Sequence, residues 1–133
     1  MREDLPSNGP EPVFIQECLV SNYGEDLKVY VIGNEVFCLR RIFPARTLEE
    51  KLGHPVSLSP QIRDLALLIG KIFGLEIYGI DIIETEQGPF VIDVNYFPAM
   101  VGVPEAAERI ADYLYCKATS ACCYIHTDYG YAL

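Results

Sequence analysis

Short apolar-rich segments separated by turn signals predict two β-hairpins. Residues 27–32 and 35–41 read as strands around Gly33-Asn34, a dipeptide typical of tight hairpin turns. Residues 76–84 and 90–95 form the second hairpin, joined through a short turn at Gln87-Gly88. Both of these later segments are apolar on both faces, so we expect both to be central strands of a sheet.

A helical repeat of apolar residues follows the first hairpin. Ser59 and Pro60 are typical of an N-cap and a first helical residue, and Gly74 is a natural stop. A last helix is expected from Pro104 to about Tyr115. The predicted buried stripe of the first helix comprises Ile62, Leu65, Ala66, Ile69, Ile72 and Phe73.

The remaining segments complete the predicted organisation. Residues 1–12 are rich in proline and small polar residues, which indicates a linker or a truncated end. Residues 13–19 are a further strand candidate, residues 43–58 are expected to be irregular, and Pro44 ends the first hairpin. Residues 116–133 form a Tyr- and Cys-rich tail of unassigned structure. We therefore predict one α+β unit over 13–115, mainly an antiparallel sheet with two helices packed on it.

Composition narrows the classes of protein. The chain has 133 residues, 50% hydrophobic and 22% charged, which suits one domain with a sizeable core. A net charge of −9 argues against a nucleic-acid surface and, weakly, against anionic membranes. No apolar run approaches the roughly 18–20 residues of a membrane span, and the N-terminal residues lack the apolar core of a signal peptide.

The number of cysteines indicates the redox state of the compartment in which the protein is found. An odd count of five, without a secretion signal, suits a reducing environment, so we expect a cytoplasmic location. Cys18 and Cys38 lie in apolar stretches and are expected to be small core residues.

The second hairpin carries the strongest candidate chemistry. Side chains alternate along a strand, so a tight turn allows Asp81 to face position 91 or 93, and Asp81, Asp93 and Asn95 to converge on one face. Two carboxylates and an amide offer the oxygen ligands that Mg²⁺ prefers, and such a cation neutralises phosphate charge. The alternative is structural: the aspartates bond backbone groups and Asn95 bonds its own loop.

Two other groups of residues are weaker candidates. An extended segment at Glu17, Cys18 and Leu19 could offer backbone groups to a planar base, while Asp26 could bind ribose hydroxyls and Lys28 a phosphate. The alternative is an edge strand, a solvated loop and an ordinary surface lysine. Of Arg40 and Arg41 at the end of the first hairpin, only one can face a site, because adjacent strand residues point to opposite faces.

Three segments together resemble the C-terminal half of ATP-grasp enzymes. They are GLEIYGIDIIETEQGPFVIDVNYFPAMVGVPE, FIQECLV and DLKVYVIG, and the resemblance covers about residues 13–115. It implies ATP and Mg²⁺ as cofactors, with Asp81, Asp93 and Asn95 holding the metal against the ATP phosphates. It further implies adenine at the backbone of Glu17 and Leu19 around Cys18, ribose at Asp26, phosphate near Lys28, and a phosphoryl-stabilising role for Arg41 or, second, Arg40.

The family resemblance leaves two chemistries open. In the ligase branch ATP activates a carboxylate as an acyl phosphate that an amine attacks, whereas in the kinase branch a hydroxyl takes the phosphoryl group. Asp93 stands where ribosomal-protein glutamate ligases usually have Glu, and IDVNYFPAMVGVPE is similar to inositol polyphosphate kinases. Lys28 stands where those ligases usually have Arg, and Ala99 where Gly commonly follows the proline. The presence of only four lysines favours the ligase branch, because an inositol polyphosphate calls for a basic pocket.

The resemblance also implies what surrounds the chain. Family members carry an N-terminal domain and a phosphate-covering lobe, for which residues before 13 leave no room. We therefore expect a fragment inactive alone, binding nucleotide and a small-molecule acceptor. The alternative is a non-catalytic interaction module, with self-association or a partner lobe at an exposed apolar face. In the tail, soft-metal binding by Cys116, Cys122 or Cys123, His126 and Asp128 is a remote alternative to local packing.

Overall fold

A five-stranded antiparallel sheet, in the order β3-β2-β1-β4-β5, forms the centre of the molecule. The computed structural model describes positions 13, 15 and 17–128. The predicted α+β class, an antiparallel sheet with helices packed on it, is confirmed. The strands are β1 (Glu25–Ile32), β2 (Glu35–Ile42), β3 (His54–Pro55), β4 (Ile77–Thr85) and β5 (Gly88–Tyr96), and the helices are α1 (Leu48–Leu52), α2 (Pro60–Phe73) and α3 (Ala106–Asp128).

The central strand β1 is buried on both of its faces. Leu27, Val29 and Val31 pack with Ile62 and Ala66 of α2, and we call this side of the sheet the α2 face. On the opposite side, Tyr30 and Ile32 pack with residues of α3 and of the loop before it, and we call this side the α3 face. By strand alternation Asp26 and Lys28 share the α3 face with Tyr30, but lie nearer the start of the strand. One face of β1 is therefore apolar at one end and charged at the other.

The helix α2 begins and ends where the sequence predicts. The Ser59 hydroxyl accepts a hydrogen bond from the Ile62 amide at 3.2 Å, and Gly74 ends the helix in the left-handed conformation. The predicted buried stripe is wrong at its C-terminal end: Ile72 is 64% exposed and Phe73 is 60% exposed. No described element covers this last turn, so helical periodicity alone overstated the burial.

Residues 43–58 contain structure where irregular chain is expected. The short helix α1 follows Thr47, whose side chain accepts from the Glu50 amide while the Glu50 carboxylate accepts from the Thr47 amide. This reciprocal cap is written in the sequence as Thr-x-x-Glu, a signal that identifies helix starts. The two residues of β3 then pair with β2 beside Leu39 and Arg40.

Three further expectations are wrong. The described positions between 13 and 20 are not strand, and Val13 and Ile15 are 80% and 86% exposed, because no described strand pairs with them. Cys18 in this segment is consequently exposed, whereas Cys38 is buried as predicted. The strand β5 lies at the edge of the sheet formed by the described residues, with exposed Phe90, Ile92 and Tyr96, and is not central.

The last helix is longer than the sequence pattern indicates. It starts at Ala106 and continues to Asp128, through much of the tail to which no structure was assigned. Its first turns pack on the sheet through Ile110 and Tyr113. Residues 1–12, the expected linker or truncated end, lie outside the described residues. Across the described part of the chain, no helix combines the length and apolar character needed to cross a membrane.

Candidate functional site

The pairing of β4 with β5 brings the predicted metal-ligating residues onto one face. Asp81 lies opposite Asp93, and Gly79 opposite Asn95, all on the α3 face of the sheet. The Asn95 amide donates to Asp93 Oδ2 at 2.5 Å. Asp93 and Asn95 are exposed, whereas Asp81 is half-buried. The convergence expected from the spacing is therefore present in the structure.

Lys28 faces Asp81 from the neighbouring strand β1. Its Nζ lies 2.5 Å from Asp81 Oδ1, and the two side chains are only 9% and 18% exposed. Although the ion pair is close, Asp81 Oδ1 is a buried oxygen that accepts no hydrogen bond of good geometry. A buried carboxylate oxygen without a proper donor is unusual in proteins. This atom is therefore held by its electrostatic contact with the Lys28 ammonium and not by a well-formed hydrogen bond.

Arg41 binds Asp26, the third carboxylate on the α3 face after Asp81 and Asp93. We call Asp26, Asp81, Asp93, Lys28 and Arg41 the carboxylate cluster. Its Nε donates to Asp26 Oδ1 at 3.0 Å and its Nη2 donates to Asp26 Oδ2, and Nη2 also lies 3.4 Å from Asp81 Oδ1. Burial lowers the pKa of the Arg41 guanidinium, but the hydrogen bonds to Asp26 and the charges of Asp26 and Asp81 raise it above its ordinary value. Arg41 is therefore a permanent cation of the site.

Arg40 points away from these residues. It lies on the α2 face, with Nη1 3.3 Å from Glu25 and Nη2 3.0 Å from Glu84. The pair of arginines is thus split between the two faces of the sheet, as alternation requires. Of the two candidates, Arg41 joins the carboxylate cluster and Arg40 does not.

Asp26 is placed differently from the ribose-binding role that the resemblance implies. Its side chain is 3% exposed, and both of its oxygens accept from Arg41. Little of the carboxylate is therefore accessible to a ribose hydroxyl. This geometry favours Asp26 as the residue that orients Arg41.

A cavity of about 400 Å³, within the size range of small-molecule sites, lies against β4 and β5, the strands that carry Asp81 and Asp93. Ile92, one residue before Asp93, and Ile83, two residues after Asp81, both contribute to its wall. The predicted base-binding residues form another part of the same wall. The complete lining is Glu17, Cys18, Leu19, Phe43, Ile83, Phe90, Val91 and Ile92.

The apolar members of this wall were missed in the sequence. Asp81 pairs with Asp93 but Ile82 pairs with Val91, so Ile92 is an extra residue that bulges from β5. A bulge changes which side chains share a face, and no residue in this run announces it. Another cavity, of about 440 Å³, lies at the far end of β1 near Gly33 and Tyr78, and none of the predicted site residues line it.

Tyr30 is a second residue that the sequence did not single out. Lys28 Nζ lies 5.7 Å from the centre of its ring, and a Cβ on Gly79 would lie 3.2 Å from the same ring. Burial raises the pKa of the Tyr30 hydroxyl, and Asp81 adds to the rise while Arg41 opposes it. The ring therefore forms an uncharged floor beneath the Lys28 ammonium.

The residues on the α3 face can supply some, but not all, of the ligands of a magnesium ion. No three His, Cys, Asp or Glu side chains are grouped as a metal site anywhere in the described residues. Asp81, Asp93 and Asn95 supply two carboxylates and an amide, and Mg²⁺ commonly takes one or two carboxylates and completes its shell with water and phosphate oxygens. Asp81 Oδ1 accepts no hydrogen bond, so a metal ion would contend there only with the ion pair to Lys28. The soft-metal alternative in the tail depends on side chains beyond position 120, which the structure does not describe, and on Cys116, which is a free, exposed thiol.

A sequence model of the RimK-like ATP-grasp domain matches residues 6–113 of this chain. The chain belongs to the RimK-like ATP-grasp family. It is 31% identical over 113 residues to a probable alpha-L-glutamate ligase 2 of Shewanella amazonensis, covering 77% of the chain and 38% of that relative. It is 30% identical over 117 residues to a probable alpha-L-glutamate ligase of Legionella pneumophila, covering 80% and 39%.

Solved structures agree with the fold of this ATP-grasp chain. The ATP-grasp ligase PsnB, complexed with a phosphomimetic variant of its minimal precursor, Mg and ADP, matches with a TM-score of 0.58 and 23% identity over 74% of this chain and 34% of that one. At this identity the likeness concerns the fold. The chain spans 38–39% of the length of the two curated relatives.

Proposed function

We propose that this chain is the ATP- and Mg²⁺-binding part of an ATP-grasp carboxylate–amine ligase. The observation that carries the proposal is that β4 and β5 bear both the Asp81–Asp93–Asn95 set and one wall of the cavity lined by Glu17, Cys18 and Leu19. A nucleotide whose base occupies the apolar cavity would direct its phosphates toward the carboxylates. Membership of a family whose curated relatives are probable alpha-L-glutamate ligases supports the ligase branch over the kinase branch.

Each residue of the cluster has a role in this proposal. Asp81, Asp93 and Asn95 would hold Mg²⁺, which supplies positive charge to the phosphate oxygens. Arg41, fixed by Asp26, presents a guanidinium to the phosphoryl group that the acceptor carboxylate attacks. Phe90 and Ile92 exclude water from the base.

The acceptor and the complete reaction belong to the wider protein in this proposal. A carboxylate–amine ligase must bring an acid and an amine together beside the ATP phosphates. The described residues form the part of the site that contacts the nucleotide. PsnB is complexed with a phosphomimetic variant of its minimal precursor, and a Chryseobacterium gregarium ATP-grasp ligase is complexed with a leader and core peptide. A peptide is therefore one candidate acceptor. We propose nucleotide binding without turnover for these residues alone.

A thermal melt with Mg-ADP tests the proposal. A ligand that binds only the folded state at about 100 times its Kd stabilises that state by about 2.7 kcal/mol, which raises Tm by several degrees. Asp93→Asn should abolish most of this rise, because Asp93 is an exposed metal ligand whose loss does not disturb the core. Asp64→Asn makes the same chemical change on the exposed side of α2 and should keep the full rise. An equal Tm with and without Mg-ADP in the folded wild type would overturn the proposal.

A further inference from the structure

Lys28 takes the position beside Asp81 where a metal cation would bind. Its Nζ lies 2.5 Å from Asp81 Oδ1, the buried oxygen that no donor meets with good hydrogen-bond geometry. Magnesium binds carboxylate oxygens at roughly 2.0–2.1 Å. Two cations cannot both lie this close to one oxygen without strong repulsion, so the ammonium and the metal compete for it.

The other charged groups of the cluster already form hydrogen bonds with neighbouring side chains. Arg41 is fixed by two hydrogen bonds to Asp26, and Asp93 accepts from the Asn95 amide. Lys28 has no such second partner among the described residues: its ammonium contacts Asp81 and lies over the Tyr30 ring. A lysine is a point charge on a flexible stem, so it can move where a forked arginine cannot. Lys28 is therefore the movable cation of the cluster.

Charge balance sets when that movement becomes favourable. Asp26, Asp81 and Asp93 carry three negative charges, and Lys28 and Arg41 carry two positive ones, so the cluster is close to neutral without metal. A divalent cation alone would make it net positive in a half-buried place. A polyphosphate arriving with the metal restores the balance and gives the ammonium a new anionic partner.

We propose that Lys28 is an internal counter-ion that keeps a divalent metal out of the site until a nucleotide polyphosphate draws the ammonium away from Asp81. The inference rests on the proposed function and adds to it an order of binding: metal enters with the nucleotide and not before it. Lys28 is then a positioning residue that acts through Asp81. Linkage requires the reverse effect as well, so bound metal must raise the affinity for the nucleotide by the same factor.

Titration of the full chain with Mn²⁺ tests this order, because Mn²⁺ shares the oxygen preference of Mg²⁺ and is paramagnetic. Free Mn²⁺ is followed by electron paramagnetic resonance without nucleotide. Protein-bound Mn²⁺ is followed by water-proton relaxation with a non-hydrolysable ATP analogue. The variants are Lys28→Gln, which removes the charge, and Lys28→Arg, which keeps it. The matched control is Lys117→Gln. Lys117 lies on α3 and forms an exposed ion pair with Glu76, so this substitution removes the same charge away from the site.

The wild type should bind Mn²⁺ weakly alone and tightly with the analogue. Lys28→Gln should bind Mn²⁺ alone more tightly, by a factor of about 5–150. The analogue should then raise its affinity for Mn²⁺ by a smaller factor than in the wild type, because only the direct contact of the metal with the phosphates still couples the two ligands. Lys117→Gln should behave as the wild type. Lys28→Arg should keep the weak binding of Mn²⁺ alone, and its forked guanidinium should release Asp81 less readily, so that the analogue raises its affinity for Mn²⁺ by a smaller factor than in the wild type.

Two results would overturn the inference while leaving the proposed function standing. One is a wild type that binds Mn²⁺ equally well with and without the analogue, a result that needs no variant to fold. The other is a folded Lys28→Gln chain whose affinity for Mn²⁺ alone is unchanged. If the folded wild type binds neither Mn²⁺ nor nucleotide under any condition, the proposed function falls together with the inference.

Discussion

At the scale of single residues, the two adjacent arginines show how strand alternation separates a site from its scaffold. Arg41 and Asp26 form a nearly dry pair on the α3 face, and Asp26 is 3% exposed. Arg40 bridges Glu25 and Glu84 on the α2 face, where all three side chains are 26–33% exposed. The same residue type therefore serves two purposes one position apart.

This contrast predicts unequal effects of removing the two guanidinium groups. Arg41→Met leaves the Asp26 carboxylate buried without a partner and should lower the free energy of unfolding by about 3–5 kcal/mol. Arg40→Met breaks pairs that water can replace and should cost about 1 kcal/mol or less. Urea denaturation of both variants measures the difference. Equal losses would show that the Asp26–Arg41 pair is not the buried contact described here.

The sequence could limit the arginine choice but could not settle it. Alternation shows that only one of Arg40 and Arg41 faces the carboxylates, yet the choice depends on the register of β1 against β2, which pairs Asp26 with Arg41. The Asp81–Asp93 pairing was within reach, because the short turn fixes the register to within two residues. The bulge at Ile92, which shapes the apolar cavity wall, could not be predicted from the sequence.

At the scale of secondary-structure elements, strong local signals predict where a helix begins and ends. Burial and the position of a strand in the sheet depend instead on the neighbouring elements. Ser59 and Gly74 mark the two ends of α2 in the sequence, and Thr47-x-x-Glu50 is an equally local signal for the start of α1. The exposed last turn of α2 and the edge position of β5 depend on which elements lie beside them. No pattern within a segment carries that information.

The turn between β1 and β2 links the hairpin to α3 and allows a matched test. Gly33 and Gly24 both have positive φ, +60° and +65°, but a Cβ on Gly33 would overlap the Tyr113 ring while one on Gly24 would meet nothing. Gly24→Ala should cost about 1–2 kcal/mol from backbone strain alone. Gly33→Ala should cost about 1–3 kcal/mol more, because Tyr113 must leave its packing on the sheet. Chemical denaturation compares them, and equal costs would mean that α3 does not pack on the turn.

At the scale of the whole molecule, the chain presents apolar surface beside its candidate site. Phe43, Phe90 and Ile92 are each 37% exposed around the cavity, and Tyr96 and Phe97 are 81% and 58% exposed farther along β5 and just beyond it. A nucleotide base would cover only the cavity residues. The earlier expectation of self-association or a partner lobe at an exposed apolar face remains a prediction, and it concerns the residues that a base leaves uncovered.

The central claim is that the cavity and the carboxylates bind one and the same Mg-nucleotide. Calorimetric titration of Mg-ATP into the wild type, Ile92→Ala and Asp93→Asn tests it most directly, because the two substitutions are one residue apart and affect different halves of the site. The account predicts one binding event in the wild type. Ile92→Ala should weaken it about 5–30-fold, the equivalent of roughly 1–2 kcal/mol of lost apolar contact, whether or not the metal is chelated.

Asp93→Asn should weaken the same event at least about tenfold in the presence of Mg²⁺ and should leave the residual binding of ATP in a chelator unchanged. The Asp64→Asn variant, exposed on α2, should match the wild type throughout. A folded wild type that releases no heat of binding, or one whose affinity is untouched by both Ile92→Ala and Asp93→Asn, would contradict the account.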